Sequence, residues 1–437
     1  MIYQILRAPL LILFFFYYRR IYFSGRSNLP KDAITLIASN HSTAFMEQIL
    51  VAALQWRSVF FWAGAGSFDK SRIFPFLFRQ MHVVPVWRQQ EGIKKIAKNK
   101  QIFEDSKCIL LKKNLFFITP EGESTSMKRL LAFKTGTARL AFMTATANDF
   151  EKDVFILPAG VNYTYNKKYR SEVMISFGVP LNVKNYKSLY LENPSEAVRK
   201  LTDDLKRTIG KEIVQINSPE DDEVVEQFLC IFRNEDKYYY NKKYSYSSKR
   251  LKMEQSVANL FNSLNNEKKD SLKVMAKSYH KKLELYQIKD REIQQNGTFN
   301  LIQVIIAFAF IPLSLFGSAG AIIPVNSARY LRKKTIKNIQ FWAPMAVVYS
   351  FITWLLYSLT LVVSAVFFIG FKAFLIPPML IVLYYISIIN QESVKMLLSQ
   401  IKYNRWKKKN KDLSLLLEEQ RRNLLLGFKN EQKKLPL

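Results

Sequence analysis

The chain has 437 residues, and 65 basic against 35 acidic residues give it a net charge of +30. That charge suits a nucleic acid or an anionic membrane surface, but 49% of the residues are hydrophobic and no nucleic-acid-binding motif is present, so we predict membrane lipids as partners and exclude nucleic acid. Two cysteines far apart in sequence, Cys108 and Cys230, and only three histidines argue against a disulfide framework and a histidine-rich metal site.

Residues 1–23 form an apolar, aromatic stretch that contains Arg7, Arg19 and Arg20. Its longest uncharged run, residues 8–18, is shorter than the roughly 20 residues that a membrane-spanning helix needs. We therefore predict an interfacial helix with its aromatic rings in the lipid and its arginines at the headgroups. A cleaved or spanning segment is the alternative, although no small-residue cleavage site follows the stretch.

Residues 24–215 alternate short apolar runs with segments of helical periodicity. A first short strand is predicted at residues 21–23, at the end of the aromatic stretch, and the strands of the domain at residues 34–38, 59–62, 83–87, 115–118, 155–161 and 172–177. The predicted helices are residues 46–54, 71–81, 92–103 and 135–146, and a further one that Asn193 and Pro194 open. Strands that alternate with helices in this way indicate an α/β domain.

The remainder of the chain is predicted to be helical. Residues 216–299 form a Lys-rich and Tyr-rich helical extension in which we predict no site. Residues 300–391 hold the membrane segments, and residues 392–437 form a charged helical tail, of which we expect residues 412–437 to be solvated.

The membrane segments are three runs that lack charged residues: 301–326, 341–371 and 373–391. The second and third are long enough to form a hairpin of two spanning helices that turns near Gly370. The first contains Gly317, Gly320 and Pro324, which we interpret as breaks in the helix, and we predict that this run is re-entrant.

Basic clusters at residues 329–337 and 402–411 flank this hairpin. The positive-inside rule places both of its ends in the cytoplasm. With a re-entrant first run, the α/β domain lies on the same side, so we predict a protein of the cell membrane whose α/β domain faces the cytoplasm.

The candidate site begins at His41, which follows the predicted strand 34–38, with Glu47 a few residues later. Ligands collect outside the carboxyl ends of strands in α/β proteins. A histidine there can take a proton from a hydroxyl, and a carboxylate can hold and polarise its ring. A structural histidine in a turn is the alternative for this pair taken alone.

Four sequence blocks, in this order, resemble the glycerophospholipid acyltransferase family, which includes the 1-acylglycerol-3-phosphate acyltransferases. The first block is Asn40 to Glu47, and the second is residues 64–88, which include Val84-Pro85-Val86 and Arg88. The third block is residues 119–124 (Thr-Pro-Glu-Gly-Glu-Ser) followed by residues 133–139, and the fourth is residues 157–161 (Leu-Pro-Ala-Gly-Val). The resemblance covers residues 20 to 185 and implies a mixed sheet flanked by helices.

The resemblance also implies a reaction, in which an acyl group moves from a thioester to a hydroxyl of a glycerol phosphate or lyso-lipid. The donor would be acyl-CoA or acyl-ACP as a co-substrate, and no metal or other cofactor is implied. His41 would be the general base and Glu47 would hold its ring. The residues implied to bind the acceptor are Arg88, Glu121, Gly122 and Lys134.

The chain departs from the family pattern at two points. The usual Asp would fall at Met46, but the acid comes one residue later and is Glu47. The third block begins Thr-Pro-Glu-Gly-Glu where Phe-Pro-Glu-Gly-Thr is common. A nonenzymatic lipid-binding protein on a degenerate acyltransferase fold is therefore the alternative function. The charge of +30 would also attract an acidic acyl carrier protein.

Overall fold

The computed structural model describes residues 2–65, 73–87, 97–166, 168–235, 243–299 and 301–433. The chain forms two compact units. The first unit consists of Met1–Gln215, Lys242–Lys252 and Ile336–Val347, and the second of Ile216–Asn241, Met253–Thr335 and Val348–Leu437.

The first unit is an α/β domain built on one mixed sheet. Its strands are β1 (Arg20–Ser24), β2 (Ile34–Ser39), β3 (Val59–Gly64), β4 (Val83–Val86), β5 (Leu115–Ile118), β6 (Val154–Tyr163), β7 (Glu172–Phe177), β8 (Leu181–Asn182) and β9 (Tyr244–Ser245). Its helices are α1 (Ile2–Tyr17), α2 (Met46–Leu54), α3 (Ile73–Gln80), α4 (Asn99–Leu111), α5 (Gly136–Thr146), α6 (Lys187–Glu192) and α7 (Pro194–Gly210). The predicted α/β class is confirmed, and the predicted helix at residues 92–103 lies partly outside the described residues.

The strand order in the sheet is β4-β3-β5-β2-β6-β7-β1-β9, with β8 paired to β6. The five strands from β4 to β6 are parallel to their neighbours, whereas β6 and β7 are antiparallel. Ala38 of β2 lies opposite Ile118 of β5. The loops that follow β2 and β5 therefore leave the sheet at the same edge, beside each other.

Side chains alternate between two cores, one on each face of the sheet. Ile37 of β2 joins Phe14 of α1 and Leu50 of α2 on one face. Leu36, on the other face, packs with Leu140 of α5 and Leu201 of α7. Because β2 is covered on both sides, all six of its residues are buried, as the continuous apolar run of a central parallel strand requires. Each large apolar side chain buried in this way stabilises the fold by about 1.5–3 kcal/mol.

The N-terminal helix differs from the prediction for residues 1–23. It ends at Tyr17, and residues 20–24 form β1, which pairs with β7. Arg7 donates a hydrogen bond to the Ala53 carbonyl, and the Arg20 guanidinium lies 3.9 Å from the Glu172 carboxylate. These two guanidinium groups thus bind inside the unit, and the interfacial placement of α1 stays a prediction.

The second unit is entirely helical within the described residues. Its helices are α8 (Asp222–Asn234), α9 (Lys249–Ser263), α10 (Asn266–Leu285), α11 (Asp290–Gln294), α12 (Leu301–Ala309), α13 (Ile311–Thr335), α14 (Trp342–Ile369), α15 (Ile376–Lys409) and α16 (Lys411–Lys433), of which α9 and α14 begin in the first unit. The helical character predicted for residues 216–299 is confirmed over the described residues, apart from the short β9, and residues 243–252 of this range belong to the first unit.

The prediction that Gly317, Gly320 and Pro324 break the helix is wrong, because α13 is continuous through them. A Cβ on Gly317 would lie 2.1 Å from the Leu383 carbonyl oxygen of α15, so the glycine allows the two backbones to approach closely.

The break in this apolar run lies earlier, at Phe310, between α12 and α13. Pro312 cannot donate a backbone hydrogen bond. Asn390 of α15 donates to the carbonyls of Ile306 and Ala307, so carbonyl groups near the break have side-chain partners.

Two runs in the described part of the chain, Ile311–Thr335 and Ile339–Lys409, are long and apolar enough to cross a membrane. The second run contains α14 and α15, which are joined at Gly370–Leu375, where the hairpin is predicted to turn. Phe367 and Phe368 on α14 are 83% and 88% exposed. An uncharged helix with apolar side chains left bare is typical of a segment that contacts lipid. The re-entrant path of residues 301–326 stays a prediction.

The prediction of a solvated C-terminal tail is wrong. α16 buries Leu417, Leu424 and Phe428 along one face. Arg421 lies on the same face, and its guanidinium binds the buried Asp290 carboxylate at 2.9 Å. This ion pair supplies the partner that a buried charge needs, so the helix packs against the unit in spite of its many charged residues.

Candidate active site

Two loops at the carboxyl edge of the sheet carry the predicted catalytic His41 and the predicted acceptor-binding residues Glu121 and Gly122. The histidine loop (residues 40–45) follows β2, and the Glu121 loop (residues 119–125) follows β5. The parallel pairing of β2 with β5 brings the loops side by side. The backbone N–H of Thr125 donates to the His41 carbonyl over 2.8 Å, which joins the loops directly.

His41 and Glu47 face each other at the centre of this arrangement. His41 Nδ1 lies 3.6 Å from Glu47 Oε2, and the exposed fractions of the two side chains are 7% and 0%. Nδ1 is buried and has no hydrogen-bond partner. The structure thus brings the two predicted catalytic residues together, at a distance slightly longer than a hydrogen bond; catalytic hydrogen bonds are often long before substrate binds.

Glu47 is held in place by the histidine loop itself. Its Oε1 accepts hydrogen bonds from the backbone N–H groups of Ser42 and Thr43, over 3.1 and 2.8 Å, and from the Thr43 hydroxyl. Thr43 Oγ1 in turn accepts from the backbone N–H of Met46, which satisfies a free amide at the start of α2. Glu47 also lies in the first turn of α2, where the helix dipole favours a carboxylate.

Two buried tyrosines lie close to Glu47. The rings of Tyr18 and Tyr163 stack with centroids 6.1 Å apart. Burial raises the pKa of both phenols well above 10.0, and the negative charge of Glu47 raises it further. Both groups therefore stay neutral near pH 7. Nothing in the sequence reveals this contact, because Tyr18 and Tyr163 are distant in the chain.

Within the described residues, both hydrogen bonds of the Glu121 carboxylate come from backbone N–H groups. Its Oε1 accepts from the His41 N–H over 2.9 Å, and its Oε2 accepts from the Leu131 N–H over 3.0 Å. Burial raises the pKa of Glu121 above 4.5, while these hydrogen bonds partly oppose the shift. Arg88, which is predicted to bind the acceptor together with Glu121, lies outside the described residues. The observed role of Glu121 is to hold the backbone of His41.

Gly122 and Lys134, two of the predicted acceptor-binding residues, lie against each other. Gly122 has φ of +70°, a conformation that favours glycine, and a Cβ there would lie 2.9 Å from Lys134 Nζ. The Lys134 side chain, which is exposed, therefore runs directly over the Glu121 loop. The Gly122 N–H donates to the Thr119 carbonyl, so that amide serves the turn and is not free to bind an anion.

Asn40 is a residue whose role was not predicted, although it belongs to the first sequence block. Its side-chain amide makes a pair of hydrogen bonds with the backbone of Val161 in β6: Oδ1 accepts from the N–H over 2.8 Å and Nδ2 donates to the carbonyl over 3.0 Å. The pair fixes the start of the histidine loop against the fourth block. The signal available in the sequence was the Asn-His dipeptide at the end of a strand.

In the part of the chain that the structure describes, no group of three or more His, Cys, Asp or Glu side chains is arranged to hold a metal ion.

Comparison with known proteins gives three similarities. Residues 20–162 match the family model described as Acyltransferase. Glycerol-3-phosphate O-acyltransferase 2 of Saccharomyces cerevisiae is 34% identical over 104 residues, which are 24% of this chain. Glycerol-3-phosphate O-acyltransferase 1 of the same organism is 31% identical over 97 residues, which are 22% of this chain. The matches span only 14% and 13% of the length of those two proteins.

Among solved structures, the 1-acyl-sn-glycerophosphate (LPA) acyltransferase of Thermotoga maritima is similar to this chain with a TM-score of 0.33 and 18% sequence identity. The similarity covers 48% of this chain and 81% of that one.

Proposed function

We propose that the protein transfers a fatty acyl group from a thioester to a hydroxyl of a glycerol-phosphate or lyso-lipid acceptor, since residues 20–162 match the Acyltransferase family model. The observation that carries the proposal is the buried His41–Glu47 pair at the carboxyl edge of the sheet. The names of the two yeast relatives favour glycerol 3-phosphate as an acceptor, and the sequence blocks of the family are equally compatible with a lyso-phospholipid.

The chemistry proposed for His41 is a proton transfer in two directions. Since Nδ1 faces Glu47, Nε2 is the ring nitrogen available to an acceptor hydroxyl. Nε2 takes the hydroxyl proton while the oxygen attacks the thioester carbonyl carbon. The tetrahedral intermediate then expels the thiolate, which receives the proton from the imidazolium. Glu47 stabilises the imidazolium while it exists, as the acid of a serine-protease triad does.

We propose that the acceptor phosphate binds where Lys134 crosses the Glu121 loop. A lysine beside a turn is a suitable cation for phosphate, and an arginine offers a fork of donors. Arg88 keeps its predicted role at this phosphate. Glu121 and Gly122 contribute indirectly, because one holds the His41 backbone and the other leaves room for the Lys134 side chain.

We also propose that the protein works at a membrane surface. The bare helices α14 and α15 and the basic clusters around them support insertion with both hairpin ends in the cytoplasm. This orientation would place the first unit at the cytoplasmic face of the cell membrane. The donor is acyl-CoA or acyl-ACP, and an acidic carrier protein suits the net charge of +30.

A nonenzymatic lipid-binding protein is the second candidate. Two observations favour it: Glu replaces the family's usual Asp, and the 3.6 Å separation leaves His41 Nδ1 without a hydrogen bond. Such a protein would bind lyso-lipid without converting it.

The test is an acyl-transfer assay on the purified full chain in lipid vesicles. Glycerol 3-phosphate and lysophosphatidic acid are each offered with acyl-CoA and with acyl-ACP, and products are identified by mass spectrometry. We expect one acceptor to be acylated by the wild type and no product from His41→Ala. Binding of lysophosphatidic acid without turnover would favour the second candidate, and full activity in His41→Ala would remove His41 from the mechanism.

A further inference from the structure

A short segment from far along the chain belongs to the first unit. Ile336–Val347 lies well over a hundred residues beyond the matched family segment, which ends at residue 162, yet it is grouped with the α/β domain. Ala343 and Val347 are each 4% exposed and lie in the same core cluster as α1 and α2. The Phe341 ring lies 6.1 Å from the Phe45 ring of the histidine loop.

Gln340 is the polar contact of this segment with the site. The Ser124 hydroxyl donates to Gln340 Oε1 over 2.6 Å, and Gln340 Nε2 donates to the Ser124 carbonyl over 2.7 Å. The Ala44 N–H donates to the Gln340 carbonyl over 3.3 Å. The side chain of Asn338 accepts from the Gln340 N–H, which fixes the turn that presents Gln340.

These contacts involve both loops of the candidate site, at residues close to His41 and to the hydrogen bond that joins the loops. Ala44 belongs to the histidine loop and lies between His41 and Glu47 in the sequence. Ser124 is the neighbour of Thr125, whose N–H donates to the His41 carbonyl. Gln340 therefore joins the two loops through Ala44 and Ser124, in addition to the link that Glu121 makes to the His41 backbone.

We infer that Gln340 is a positioning residue for the His41–Glu47 pair and that residues 336–347 complete the acyltransferase domain. This inference rests on the proposed function. Gln340 touches neither side chain of the pair. It limits the movement of the histidine loop, which carries His41 and binds Glu47, relative to the Glu121 loop, which holds the His41 backbone. The alignment of the base with the acceptor hydroxyl determines the rate of the chemical step, so the residue acts on kcat and leaves acceptor binding largely unchanged.

The test uses Gln340→Met in the full chain, because methionine keeps the length of the side chain and removes both of its hydrogen bonds. We expect kcat to fall about tenfold, the factor that corresponds to losing roughly one or two net hydrogen bonds in the aligned state. KM for the acceptor and the melting temperature should stay close to those of the wild type. Ile339→Ala, at an exposed neighbour on the same turn, is the control and should keep full activity.

A double-mutant cycle with Ser124→Ala separates positioning from a general loss of structure. Ser124→Ala removes one of the two hydrogen bonds that Gln340→Met removes and keeps the one to the Ser124 backbone carbonyl, so Gln340→Met should have a smaller effect in the Ser124→Ala background than in the wild type. Full additivity, or a fall in kcat matched by a fall in melting temperature, would overturn the positioning role.

Hydrogen exchange gives a readout that does not depend on acyl transfer. In Gln340→Met we expect faster exchange in peptides that cover residues 41–47 and 121–127, and unchanged exchange in β6. Inactive wild-type protein with this exchange pattern would contradict the proposed function alone. Unchanged exchange in both loops would overturn the inference about Gln340 whatever the activity.

Discussion

Replacing Glu47 by Gln removes one negative charge from the site and keeps the shape of the side chain. The carbonyl oxygen of the new amide can still accept from the N–H groups of Ser42 and Thr43, which now bind Glu47 Oε1. The amide nitrogen then takes the place of Oε2, opposite His41 Nδ1. An amide there favours the tautomer in which Nδ1 accepts and Nε2 carries the proton, so that Nε2 can no longer act as the base.

The size of the effect follows from the observed distance. Two unit charges 3.6 Å apart at an effective dielectric constant of about 20 interact by about 4–5 kcal/mol. Both side chains are nearly inaccessible to solvent, so little screening by salt is expected. Loss of this stabilisation of the imidazolium in the transition state corresponds to about a thousandfold lower kcat.

The assay measures kcat and KM for acceptor acylation by wild type and Glu47→Gln, with the thiol product quantified. KM should change little, because Glu47 is buried behind His41. Glu151→Gln, an exposed carboxylate in the turn before β6, makes the same charge change and should keep wild-type turnover. A Glu47→Gln enzyme within a few-fold of wild type would refute the assignment of Glu47 as the partner of His41.

Two further predictions concern stability. Burial raises the pKa of Glu121 above 4.5, so the stabilising contribution of its protonated form is complete below about pH 4.5 and is lost as the pH rises through the raised pKa. The melting temperature of the wild type, relative to that of Glu121→Gln, should therefore fall from pH 4.5 toward neutrality. A difference in melting temperature that does not change with pH would contradict this prediction. Gly317→Ala should destabilise the second unit by about 1–3 kcal/mol, because the new Cβ would meet the Leu383 carbonyl at 2.1 Å. Gly427→Ala, with its nearest neighbour at 3.9 Å, should instead stabilise α16 by about 0.5–1 kcal/mol, and equal effects of the two changes in chemical denaturation would show that the helix contact is not tight.

The elements of the first unit were largely predictable, because its strands are short apolar runs bounded by turns. The structure has β5 and β7 at the predicted residues 115–118 and 172–177. Parallel strands end at one edge, so the neighbourhood of His41 and Glu121 followed from the α/β pattern together with the family resemblance. The hydrogen bond from the His41 N–H to Glu121 could not be predicted, because a carboxylate in a loop has many backbone groups within reach.

The errors have one physical origin, which is that local sequence does not reveal the packing partner. Glycine is a residue type that often ends a helix, but Gly317 lies within α13, where it allows the backbone of α15 to approach closely. The charged residues of α16 led to the prediction of a solvated helix, because the sequence does not show that one of them, Arg421, binds Asp290 in a different helix. The sequence around Gln340 contains no motif that indicates a functional residue, and its role can be inferred only from its contacts with Ser124 and Ala44 in the folded chain.

A structure with an acceptor and an unreactive thioether analogue of the donor would test the central claim most directly. The quantity to measure is the distance from the acceptor hydroxyl oxygen to His41 Nε2. We predict about 2.6–3.2 Å, the reach of a general base, with the His41–Glu47 distance shortened to a hydrogen bond. An acceptor bound with its hydroxyl away from the imidazole, or on the other edge of the sheet, would contradict the proposed mechanism.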